Sequence, residues 1–288
     1  MNGILLVDKP AGWTSHDVVA KLRGILRERR IGHSGTLDPM ATGLLVVFVG
    51  KATKAVEFAE ADRKRYIAGL RLGLVTDTQD TTGAALAERE ASVSGGQLEE
   101  ALASFRGEIS QVPPMYSAVK VGGERLYKIA RRGGEVERKA RAVTIYKLEC
   151  LGRDAHGDVL LDVECSKGTY VRTLCSDIGE KLGCGACMSS LRRVAAGAFS
   201  VDEAHTIEQI AGLAESGDAA GALLPVEAMF AQRDEFVLDA RRERDCLCGR
   251  PFDADIPDGE YRVKSPAGEF LMLARAEGGH VSSIKNFF

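Results

Sequence analysis

Val18, Val19, Leu22, Ile25 and Leu26 recur at helical spacing, whereas Leu44 to Val49 is an unbroken apolar run. The first pattern predicts a helix from about Ser15 to Arg29, opened by Thr14 and Asp17 as a capping box. The second predicts a buried strand bounded by Gly43 and Gly50. Further along, Tyr66 to Leu72 and Val159 to Cys165 have strand character, and Ser94 to Phe105 and Thr169 to Leu182 have helix character. Helices interspersed among strands with hairpin-like stretches predict an α/β or α+β domain.

Between the first helix and the Leu44 strand the period disappears. Gly32-His33-Ser34-Gly35-Thr36-Leu37-Asp38-Pro39-Met40-Ala41-Thr42-Gly43 combines three glycines, a proline and small hydroxyl residues, the composition of a loop with unusual dihedrals. Pro39 pushes Asp38 toward an extended conformation, so the loop presents one carboxylate at a defined angle near His33. An Asp-Pro step is also an ordinary turn opener, and those two residues alone do not separate a catalyst from a turn.

Residues from about 110 to 141 differ again. Paired prolines, Gly122-Gly123 and Gly133-Gly134 accompany eight basic and three acidic residues from Lys120 to Arg141, which predicts a protruding segment suited to RNA phosphates, or else a plain surface excursion. After Leu224-Pro225, short strand-like stretches alternate with turns such as Pro257-Asp258-Gly259 and Pro266-Ala267-Gly268, so a small β-domain is expected over 231–288, after a larger domain over 1–230.

Composition narrows the classes. With 288 residues and 45% hydrophobic content, the chain can build real cores. No apolar run approaches a membrane span, and the N-terminus lacks the basic start and long apolar core of a signal peptide, so no membrane and a cytoplasmic location are expected. Seven cysteines, an odd number, suit reduced thiols. Cys184 with Cys187 and Cys246 with Cys248 are poor zinc pairs, because only one residue separates the second pair and the first follows a helix stop. No metal or cofactor is expected. The net charge of −3 opposes RNA binding overall, but basic residues gather at Lys21 to Arg30, Arg63 to Arg65, Lys120 to Arg141 and Arg192-Arg193. Each cluster has a solvated surface as its alternative.

The loop motif closely resembles the active-site signature of the bacterial TruB family, whose members make pseudouridine at position 55 of tRNA. The likeness extends to Val7-Asp8-Lys9-Pro10-Ala11-Gly12-Trp13-Thr14-Ser15, Lys64-Arg65-Tyr66, Pro113-Pro114-Met115-Tyr116-Ser117-Ala118-Val119-Lys120, Cys165-Ser166-Lys167-Gly168-Thr169-Tyr170-Val171-Arg172-Thr173 and Leu191-Arg192-Arg193, all in family order. It covers roughly residues 1 to 200 and weakens beyond about 230. Ser34 stands where the family usually has Thr, and both carry a hydroxyl.

This resemblance implies a mixed, largely antiparallel central sheet flanked by helices and a C-terminal PUA-like RNA-binding module. It implies isomerisation of a T-loop uridine in tRNA by base flipping, with Asp38 as nucleophile or base and Arg172 as its charge partner, where a guanidinium can form two hydrogen bonds to a carboxylate. Tyr66 and Tyr170 correspond to base-holding tyrosines, and the three charged residues before Tyr66 would set phosphate contacts beside that ring. Leu191 corresponds to a base contact and His33 to the side chain inserted into the RNA loop. Lys9 and Pro10 would support the catalytic loop, with Lys64 in a supporting role, and residues 110 to 141 would grip the RNA stem-loop. The expected partner is tRNA alone, with a monomeric protein. The alternatives are a noncatalytic RNA-binding or tRNA-folding protein on the same fold, and a related synthase acting on another RNA.

Overall fold

A computed structural model describes residues 1–59, 63–117, 119–130 and 132–288. Ala118 of the Pro113–Lys120 motif and Arg131 of the basic segment lie outside the described residues.

The larger unit is a nine-stranded mixed sheet. In chain order its elements are β1 (Gly3–Lys9), α1 (Ser15–Leu26), β2 (Ile31–Ser34), β3 (Thr42–Val49) and β4 (Arg63–Leu72), followed by a small hairpin of β5 (Leu74–Thr76) and β6 (Ala85–Glu88). Then come α2 (Gly95–Ala103), β7 (Gly107–Gln111), a second hairpin of β8 (Lys120–Val121) and β9 (Glu124–Arg125), α3 (Leu126–Ala130), β10 (Arg141–Arg153), β11 (Val159–Ser166), α4 (Val171–Lys181), β12 (Ala186–Ala196), β13 (Phe199–Ser200) and α5 (Ile207–Ser216). The strands run β1-β3-β12-β4-β11-β10-β7, with β2 beside β3 and β13 beside β12. Among the described residues only β3 and β12 pair in parallel in this sheet; the other strand pairings are antiparallel.

The α1 capping box forms as expected, since the Thr14 hydroxyl accepts from Asp17 N–H and the Asp17 carboxylate accepts from Thr14 N–H. The helix ends at Leu26, short of Arg29, because Arg27 turns into the left-handed region at φ 50°. β3 is buried on both faces: Leu45, Val47 and Val49 pack with α1 and α5, while Leu44, Val46 and Phe48 face the second unit. Burial on both sides explains why its sequence is continuously apolar rather than alternating. β4 alternates instead. Tyr66, Ala68 and Leu70 join the core under α2 and α4, whereas Arg65 and Arg71 sit on the opposite face, paired with Asp162 and Asp158.

The second unit is a five-stranded sheet ordered β14 (Asp234–Val237), β16 (Gly259–Lys264), β17 (Phe270–Glu277), β18 (His280–Asn286) and β15 (Phe252–Asp253), with α6 (Ala240–Leu247). It meets the first through an aromatic cluster in which Phe230 stands 5.7 Å from Phe58 and 5.8 Å from both Phe270 and Phe287. Among the described residues no helix is long and apolar enough to cross a membrane.

Candidate active site

The glycine-rich loop emerges where the sheet forks. Along one side of β3, β2 covers Val46 to Val49 and β12 takes over at Thr42 and Gly43, so the Gly35 to Ala41 loop rises from the gap between them. Gly43 is required there. Its φ is +96°, and a Cβ would collide with the backbone carbonyl of Arg193.

Three buried side chains pin this loop. The Ser15 hydroxyl, at the start of α1, accepts from Leu37 N–H at 2.9 Å and donates to the Leu37 carbonyl at 3.3 Å. Lys9 is fully buried, its Nζ donating to the carbonyls of Pro10, Trp13 and Pro39 at 2.9, 2.7 and 3.3 Å. Burial lowers the Lys9 pKa to about 8, against the opposing pull of Asp38. Arg193, 2% exposed, donates from Nε to Leu44 C=O at 2.7 Å and from Nη2 to Gly35 C=O at 2.8 Å. The loop's backbone acceptors are therefore satisfied from β1, α1 and β12, which holds an otherwise irregular segment in one conformation.

Asp38 projects from this loop toward α4. Its Oδ2 lies 3.0 Å from Arg172 Nε. The contact is single, not the two-bond fork expected from guanidinium geometry, because Arg172 divides its remaining donors. Nη1 stands 3.6 Å from Asp80 Oδ2 and bonds Thr78 C=O at 3.2 Å, while Nη2 bonds Tyr116 C=O at 2.8 Å. The side chains of Arg172 and Asp80 are 7% and 6% exposed, that of Asp38 39%. Of the three charged groups, only the Asp38 carboxylate is open to a substrate. Its pKa is raised, first by desolvation and further by the Asp80 charge, with Arg172 and Lys9 opposing.

Sequence reasoning missed Asp80. It lies in the turn Thr76-Asp77-Thr78-Gln79-Asp80-Thr81-Thr82-Gly83, where the Thr78 hydroxyl and the Thr82 N–H donate to Asp80 Oδ1 at 2.8 and 2.9 Å. Backbone bonds from Thr81 N–H to Met188 C=O and from Met188 N–H to Gln79 C=O stitch the turn to β12. The density of hydroxyls around one acid was a usable signal, since a buried carboxylate needs several donors.

The remaining candidates divide. Tyr66, 8% exposed, and Leu191, 9% exposed, lie with Leu37, Ala41 and Val171 in the apolar wall beside Asp38. Burial raises the Tyr66 phenol's pKa, against the opposing pull of the Arg193 guanidinium. Tyr170 is half-buried at the N-cap of α4, two residues before Arg172. His33, one residue before the end of β2, is half-buried, and desolvation holds its pKa below the ordinary value. Lys64 passes close to Gly35 on the Tyr66 face.

Two expectations about charge change. The cations flanking Tyr66 do not form one phosphate patch, because strand alternation sends Arg65 to the far face, where Nε and Nη2 clasp Asp162 at 2.8 and 2.7 Å. Arg63 is drawn to Glu164 and stacks over Tyr146. Arg192-Arg193 is not a surface cluster either, since Arg193 is internal and Arg192 clasps Asp8 at 3.0 and 2.7 Å. Cys184, Cys187 and Cys246 are buried and Cys248 is exposed; among the described residues no three metal-ligating side chains converge.

Residues 23–171 match the TruB family pseudouridylate synthase (N terminal domain) model, and residues 172–231 match the tRNA pseudouridylate synthase B C-terminal domain model. The chain is 46% identical over 249 residues to tRNA pseudouridine synthase B of Alkaliphilus oremlandii, covering 86% of this chain and 82% of that one. It is 38% identical over 293 residues to the protein of the same name from Clostridium kluyveri, covering both chains completely. Among solved structures, a chain in a Cbf5-Nop10-Gar1 complex superposes with a TM-score of 0.75 at 28% identity, over 99% of this chain and 85% of that chain. A chain of an H/ACA RNP bound to a substrate RNA containing 2'-deoxyuridine gives the same TM-score at 25% identity, with the same coverage.

Proposed function

The chain belongs to the TruB family and isomerises uridine to pseudouridine in tRNA, and from that premise we propose that its target is the T-loop uridine at position 55, with Asp38 as the carboxylate that acts on the flipped nucleotide. The observation that carries this assignment is the half-buried, substrate-accessible Asp38 carboxylate held 3.0 Å from the buried Arg172 guanidinium.

The reaction breaks the bond from ribose C1' to uracil N1, turns the base, joins C1' to C5, releases the C5 proton to solvent and leaves N1 to take up a proton in its place. Nothing is oxidised or reduced. An ionised carboxylate beside the nucleotide serves as nucleophile or base, and Arg172 favours its charged form. A stacked uracil cannot reach Asp38, so the base must leave the RNA loop. His33 enters the vacated space as a wedge. Tyr66, Tyr170 and Leu191 hold the uracil ring, while Lys9, Pro10 and Lys64 support the loop and its surroundings. The basic segment from Lys120 to Arg141 takes the stem of the T-arm, and the C-terminal sheet serves as a PUA-like RNA contact.

Tritium release from a T-stem-loop containing 5-tritiated uridine tests the assignment. Wild-type protein should release tritium and Asp38→Ala should not. Release by the variant would remove Asp38 from the chemistry, and wild-type activity only on a different RNA would overturn the T-loop target.

A further inference from the structure

Residues 112–140 leave and rejoin the large sheet through one pair, Gln111 of β7 opposite Arg141 of β10. At this neck the Gln111 side chain is 2% exposed, and its carboxamide spends both ends on one residue of another element. Its Oε1 accepts from Tyr170 N–H at 2.8 Å, and its Nε2 donates to Tyr170 C=O at 3.1 Å. Tyr170 is the N-cap of α4, and its own side chain makes no cap bond. Gln111 therefore supplies the partner for the Tyr170 N–H at the start of that helix.

A second tie runs alongside the first. Tyr116, five residues into the excursion, uses its carbonyl to accept from Arg172 Nη2 at 2.8 Å. On the returning segment before β10, Arg138 Nη1 donates to Pro113 C=O at 3.2 Å, so both sides of the root are bonded together. The root of the basic excursion is thus bonded to Tyr170, the N-cap of α4, and to Arg172, the α4 group that contacts Asp38. A buried carboxamide that accepts from the N–H and donates to the C=O of one residue has no apolar substitute, because removing it strands the Tyr170 N–H, while the Tyr170 C=O keeps only its helical donor, Leu174 N–H at 3.0 Å.

We propose that Gln111 is a positioning residue for the reaction: it sets Tyr170 and Arg172 against the root of the 112–140 excursion, so that RNA gripped by the excursion meets Asp38 with its charge partner and base-holding ring in register. The inference rests on the proposal above that the excursion contacts the RNA stem. A misplacement of about 1 Å at reacting groups costs about 100-fold in rate, which is the scale of effect this joint controls.

The test compares single-turnover rates of wild-type protein, Gln111→Met and Gln111→Glu on a T-arm hairpin with its full stem and on the same loop closed by a short stem. Wild-type protein should react faster with the full stem. In Gln111→Met the full-stem rate should fall by about 100-fold, with RNA affinity within about twofold of wild type, and the advantage of the long stem should vanish. Gln111→Glu, which keeps the acceptor for Tyr170 N–H and loses the donor to its carbonyl, should fall between the two. A wild-type protein indifferent to stem length would overturn the RNA-gripping role of the excursion. A stem advantage retained in Gln111→Met would overturn the joint while leaving that role intact. Hydrogen exchange on wild-type protein makes the test independent of variant folding: the full-stem hairpin should slow exchange at the start of α4 more than the short one, and equal exchange would overturn the coupling.

Discussion

Arg172 Nε stands 3.0 Å from Asp38 Oδ2, and the same guanidinium reaches Asp80 Oδ2 at 3.6 Å through Nη1. One cation thus serves two carboxylates. Only Asp38 is open to solvent, so Asp80 acts as the inner anchor that fixes where Arg172 presents its charge.

Replacing Arg172 with Lys should leave the fold intact and cut turnover by about 100-fold or more, because an ammonium cannot occupy four separated acceptors at once. Circular dichroism with single-turnover tritium release checks this. Wild-type turnover in Arg172→Lys would show that planar, divided contact is unnecessary.

Asp80→Asn should move the acid limb of the pH–rate profile to lower pH. The reacting Asp38 must be ionised, so activity is lost as pH falls through its raised pKa, and the Asp80 charge contributes to that rise. Removing the charge lowers the Asp38 pKa and extends activity toward acid. The profile of single-turnover rate against pH measures the displacement, and an unmoved or alkaline-shifted limb contradicts the coupling.

His33→Ala should reduce activity less than Asp38→Ala. A side chain that opens the RNA loop raises the cost of base extrusion, about a few kcal/mol at most, whereas removing the carboxylate eliminates the chemical step. A substrate with a mismatched, already unstacked target uridine should restore His33→Ala and leave Asp38→Ala inactive. Equal, complete loss in both would assign chemistry to His33.

Gly43→Ala should destabilise the protein by about 3 kcal/mol, from a left-handed backbone and a collision with the Arg193 carbonyl where β3 meets β12. Urea denaturation reports it. An unchanged midpoint would mean that the fork in the sheet yields freely.

Asp177→Asn should stabilise the protein at neutral pH and do little at about pH 4. Burial, helped by Glu180, raises the folded-state pKa of Asp177 to about 6. Between the unfolded value near 4 and that pKa the folded state binds more protons, so wild-type stability falls as pH rises through this window. Asn does not titrate, and the gain above the window is on the order of 1 kcal/mol. Melting temperatures of both proteins at pH 4 and 7.5 decide it, and a gain confined to pH 4 would reverse the sign.

The chain's own pattern marked α1 with its capping box, the doubly buried β3 and the loop between them, because helical period, continuous apolarity and clustered glycines are local properties. Asp38 was legible as a carboxylate held in a constrained loop. What long-range packing alone decided was its surroundings. Arg172 reaches it across 134 positions of sequence, Asp80 arrives on a turn stitched to β12, and Lys9, expected beside the loop, and Arg193, expected in a basic cluster, are both buried internal braces. Strand alternation likewise removed Arg65 from the side of Tyr66. Sequence determines which groups are present and the local shape of their segments. Which carboxylate shares which cation, and which of them meets solvent, depends on how the strands cross, and that is settled only when distant segments pack.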